Sequence, residues 1–76
     1  MKTPKVDIEF IRSWADVDDW DEIDYQPNIL MASFRKKYIR VNVFISTGTV
    51  VIARHKRQKV LKKQTQEQIA DLLHEL

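Results

Sequence analysis

The chain has 76 residues, 43 % hydrophobic, with 13 Lys and Arg, 11 Asp and Glu, two His, one Gly and no Cys. That length predicts a single domain over residues 1–76 with a small core, and the lack of Cys excludes disulfides and thiolate chemistry. The formal net charge of +2 conceals an asymmetry: residues 1–34 carry three cations against eight acids, a net of −5, and residues 35–76 carry ten cations against three acids, a net of +7. Such a split points to a charged partner, or to two halves that neutralise each other in the fold.

In chain order, "KVDIEFI" (5–11) alternates, with Val6, Ile8 and Phe10 on one side and Asp7 and Glu9 on the other, which predicts a half-buried strand. "SWADVDDWDEID" (13–24) opens with Ser13 and Asp16 at capping-box spacing, yet six acids crowd residues 16–24 and Asp is a poor helix former. A helical turn or two, or an ordered loop, anchored by Trp14, Val17, Trp20 and Ile23, fits both facts. "PNILMASFRKKY" (27–38) satisfies a helical period at Leu30, Phe34 and Tyr38 and a strand period at Leu30, Ala32 and Phe34. The strand is favoured because a hairpin partner follows at once.

That hairpin is the most regular part of the chain. "YIRVNVFIS" and "TVVIARH" are rich in β-branched and aromatic residues, and Gly48, the only Gly, supplies the positive φ of a tight turn between them. A two-residue Thr47-Gly48 loop opposes Val43 to Ile52 and Arg40 to His55. After a basic turn, "KVLKK" (59–63) reads as a short edge strand, its lysines discouraging edge-to-edge pairing. In the last segment Thr65 and Gln68 have capping-box spacing, and Ile69, Leu72, Leu73 and Leu76 form an amphipathic stripe. The fold class is therefore α+β: a small antiparallel sheet of three to five strands, with a central hairpin 38–55 and a C-terminal amphipathic helix packed on one face.

With that helix on the Val41/Val43/Ile45/Val50/Ile52 face, the other face presents Tyr38, Arg40, Asn42, Phe44, Val51, Ala53 and His55. Aromatics beside cations on a sheet suit nucleic acid, because bases stack on rings and cations meet phosphates. The cluster Arg54, Lys56, Arg57, Lys59, Lys62 and Lys63 packs six cations into ten residues without an acid, a pattern that phosphate backbones reward by counterion release. The ordinary alternative is a two-sided core, with Trp14 or Trp20 covering Phe44 and Val51. A further alternative lays the acids of 16–24 over the cations as an internal mimic of an acidic ligand.

The leading expectation is a small non-catalytic nucleic-acid-binding protein, for DNA or RNA, using Tyr38, Arg40, Asn42, Phe44, Arg54, His55, Lys56, Arg57, Lys59 and Lys62. The alternative is a protein-interaction module or small regulator acting through Trp14, Asp18, Asp19, Trp20 and Asp21. No cofactor or metal is expected: one Gly cannot build a phosphate loop, and the acidic run lacks the spacing of an EF-hand. No run of about 18 apolar residues and no apolar segment near Met1 occurs, so no membrane partner and an intracellular location, cytoplasmic or nuclear, are expected. A chain this small gains from self-association, which keeps a homodimer open.

Overall fold

A computed structural model of the chain describes residues 6–76. Helix α1 (Ile8–Val17) leads into β1 (Asp21–Gln26), β2 (Met31–Lys36), β3 (Ile39–Phe44), β4 (Thr49–Arg54) and β5 (Arg57–Leu61), and helix α2 (Gln66–Glu75) closes the chain. The five strands form one antiparallel meander in the order β1-β2-β3-β4-β5. Among the described residues no helix is long and apolar enough to cross a membrane.

The segment expected as a strand over 5–11 begins outside the described residues, and from Ile8 onward it is helix. Val6, Ile8 and Phe10 alternate, but Ile8, Ile11 and Ala15 also recur at helical spacing, and Ile11 and Ala15 are the buried pair of α1. The start is set by Asp7, whose side chain accepts from the Glu9 amide as an N-cap. Ser13 is therefore not a cap; its hydroxyl donates to the Glu9 carbonyl within the helix (2.9 Å). The acidic run divides: Asp16 ends in α1, Asp18 and Asp19 link, and Asp21–Asp24 open the edge strand β1. Edge position is what lets DEIDYQ be a strand, since nearly all of it faces water and its charges block further pairing.

The expected hairpin forms with a different register. Val43 faces Val50, Val41 faces Ile52 and Arg40 faces Ala53, two residues away from a Thr47-Gly48 turn. The connection is the four residues 45–48, closed by the Gly48 amide donating to the Phe44 carbonyl (2.9 Å). A slip of two preserves which side chains share a face, so the sorting of faces expected from the sequence survives. β5 likewise begins at Arg57 rather than Lys59, because the turn before it is only His55-Lys56.

One sheet face carries Ala32, Phe34, Val41, Val43, Val50 and Ile52. They form a single core with Ile11 and Ala15 of α1 and Ile69 and Leu73 of α2. The capping box of α2 is complete: Gln68 N donates to Thr65 Oγ1 (3.1 Å) and Thr65 N to Gln68 Oε1 (2.9 Å). Leu73 is wholly buried and Leu72 only partly. The helices run parallel. The Asp7 amide donates to Gln66 Oε1 (3.0 Å) where both begin, and Asp18 Oδ1 meets His74 Nδ1 (3.0 Å) where both end.

Trp20 belongs to the core at 5 % exposure, its Nε1 donating to the Leu73 carbonyl (3.0 Å). Trp14 packs against Phe10 on α1, ring centroids 6.3 Å apart. Neither tryptophan is the expected cover of Phe44 and Val51, which are half-buried on the second sheet face beside the buried Met31 and Ser33.

Candidate nucleic-acid interface

Antiparallel meander topology puts the β2–β3 and β4–β5 turns at the same end of the sheet. Each turn is two residues, Lys37-Tyr38 and His55-Lys56, and the first residue of each has positive φ, 56° at Lys37 and 52° at His55. A non-Gly residue in that region costs roughly 1–2 kcal/mol. The strand ladder brings the two tips together: Ile39 pairs with Arg54, and the next residues outward, Tyr38 and His55, stack with ring centroids 5.9 Å apart and planes inclined by 23°. Tyr38 is 80 % exposed, the most open large hydrophobic residue described.

Cations surround this stack. Arg35 and Arg40 lie directly opposite each other in the β2–β3 ladder, and Arg54 and Arg57 do so in the β4–β5 ladder. Like charges placed directly across a strand pair are destabilising. Asp21 of β1 lies directly opposite Arg35 on its other side, but no ion pair with an acid forms at Arg35, Arg40, Arg54 or Arg57 among the described residues. Ion pairs among the described residues are limited to Arg12 with Glu9 and Glu22, each at 2.7 Å, and His74 with Asp18 at 3.0 Å. Arg12 also lies over the Tyr25 ring (4.8 Å), and its hydrogen bonds to Glu22, then to Glu9, raise its pKa further above the ordinary arginine range. Lys36 approaches the Trp20 ring at 5.7 Å.

The cations occupy both sides of the sheet end. Arg40 shares the second face with Arg35, Ala53 and Gln58. Arg54 and Arg57 sit on the helix side, where with Ile52, Lys59, Leu72 and Leu76 they line a cleft beside the C-terminus of α2. The negative pole of that helix supplies partial compensation. Lys62 is the exception to the expected site. It follows β5 at the opposite end of the sheet, with Lys63, Ser46, Thr47 and Thr49.

From the basic end the second face continues as Arg40, Asn42 and Phe44 on β3. Asn42 Oδ1 accepts from the buried Ser33 hydroxyl (2.7 Å), and Ser33, Asn42 and Val51 face one another across three strands. Both helices send their buried residues to the other face. Sequence reasoning passed over Arg35, Lys36 and Lys37 as site residues because the stretch 27–38 has two periods, and only its identity as β2 puts its end beside the cluster.

One acid reaches this end, Asp21 opposite Arg35 in the β1–β2 ladder; the far cations of β5 have none beside them on the sheet. β1 and β5 are opposite edges of the sheet, four strand spacings or about 19 Å apart, so Asp21–Asp24 do not cover the cations of β5 in the same chain. Trp20 is withdrawn from the expected protein-binding set because it is buried, and Asp18 because it is held by His74. Trp14, Asp19 and Asp21 remain exposed. Among the described residues no three His, Asp or Glu side chains converge as a metal ligand set. Comparison of the chain with protein-family models, with curated proteins and with solved structures finds no match.

Proposed function

We propose that the chain is a non-catalytic nucleic-acid-binding protein that grips single strands at the paired hairpin tips. The observation that carries this reading is the exposed Tyr38–His55 stack set among like-charged residues that oppose one another, Arg35 with Arg40 and Arg54 with Arg57, with no ion pair to an acid among the described residues. A fold gains little by itself from either feature: Tyr38 is 80 % exposed despite its stack on His55, and the arginine pairs repel. A single strand would reverse both effects, a base extending the ring stack and phosphates bridging the arginines. The second face, with Arg40, Asn42 and Phe44, offers the strand a path away from the tips.

The test is a titration with a labelled mixed-sequence single-stranded oligonucleotide across a salt series. If roughly four to six cations meet phosphates, log K against log salt should fall with a slope of about −3 to −4. Tyr38→Ala should weaken binding at every salt concentration by the stacking contribution, about 1–3 kcal/mol, with the slope nearly unchanged. Binding that is absent at low salt, or unaffected by loss of the Tyr38 ring, contradicts the reading.

A further inference from the structure

The outer side of the helix pair carries a different surface. Between α1 and α2 runs a groove floored by Phe10, Trp14 and Ala70 and rimmed by Glu67, Asp71 and His74, with a volume of about 260 Å³. Trp14 is 44 % exposed, and Val17, one helical turn further along the same flank, is 70 % exposed. Among the described residues no Lys or Arg lines the groove. The one ring nitrogen of His74 that has a partner is engaged by Asp18, and among the described residues neither Glu67 nor Asp71 has a cationic partner.

We infer that this groove is a docking site for a basic segment of a protein partner, which seats an arginine or lysine over Trp14 between Glu67 and Asp71. Three features select that occupant. The volume falls below the range of about 300–1,000 Å³ usual for small-molecule sites, so it suits one inserted side chain. An exposed indole face with carboxylates on the same rim suits a cation, whose aliphatic stem covers the apolar floor while its head meets the acids. The same carboxylates repel phosphate, which separates this surface from the basic tips and lets both be occupied at once. The inference stands apart from the nucleic-acid reading, since it rests on different residues and the opposite charge.

The probe is a synthetic amphipathic Arg/Leu peptide, with a Glu/Leu peptide of equal length as control, titrated into the full chain while tryptophan emission is followed. The expected result is a saturable shift with the arginine peptide only, which disappears in Trp14→Phe because Trp20 is buried. Glu67→Gln with Asp71→Asn should weaken the peptide about tenfold, the loss of two partly exposed ion pairs, and should leave oligonucleotide affinity the same or slightly higher. Three results would overturn the inference: equal binding by the glutamate peptide, unchanged affinity in the double variant, or a Trp14 shift that tracks protein concentration without peptide, which would make a second copy the occupant.

Discussion

Gly48 is held from two sides. Its φ of +75° lies in the left-handed region, and a Cβ built on it would collide with the Gln64 backbone carbonyl. The close approach is itself structural: the Gln64 amide donates to the Gly48 carbonyl (2.8 Å), tying the β3–β4 connection to the entry of α2. Backbone cannot withdraw as a flexible side chain does, so Gly48→Ala should destabilise the fold by about 1–3 kcal/mol, combining the φ cost with the displaced contact. In a domain of this size that corresponds to a melting temperature lower by very roughly 5–20 °C. A change of less than about a degree would mean that the two segments part without cost. The aromatic residues make the complementary point. Trp20 is closed in the core with its indole nitrogen satisfied, as a buried Trp requires, whereas Tyr38 stands largely in water with His55 stacked on its ring.

Among the elements, the two helices and the edge strands explain what could and could not be read in advance. α2 was legible from its capping box and its leucine stripe because both signals are local and agree. α1 was not, because a short apolar alternation at Val6, Ile8 and Phe10 fits either period; the signal that decides it is Asp7, a cap residue just ahead of Ile8. β1 was illegible for another reason: its acids oppose strand propensity, and only the edge position makes them tolerable. The hairpin faces could be sorted because a slip of two residues keeps parity, but the stack of Tyr38 on His55 depends on the register itself. The tips can be tested as a pair of elements. Arg57→Glu places an acid opposite Arg54 and turns a repulsion into an exposed ion pair. Stability should rise by about 0.5–1 kcal/mol, while oligonucleotide affinity falls and the salt slope flattens by about one to two units. Calorimetry beside the same titration reads both. Lower stability with unchanged binding would reduce the tip cations to ordinary surface charge.

Over the whole molecule, charge is arranged by topology. The parallel helices send both negative poles toward the sheet end that carries Arg35, Arg40, Arg54, Lys56 and Arg57, while the acids of β1 line one edge and Glu67 and Asp71 rim the outer helix groove. Most cations of the +7 half thus gather at one sheet end, where Asp21 opposite Arg35 is the acid on the neighbouring strand, and a field of this shape steers a polyanion to that end. The most direct test of that arrangement is the footprint of a single-stranded oligonucleotide on the backbone amide NMR spectrum of the full chain at low salt. The account predicts that shifts concentrate at residues 35–40 and 53–58, extend along β3 to Asn42 and Phe44, and spare α1, the outer side of α2 and the Lys62–Lys63 end. Shifts centred on the helix groove or on Lys62 and Lys63, or a spectrum unchanged by the oligonucleotide, would contradict it.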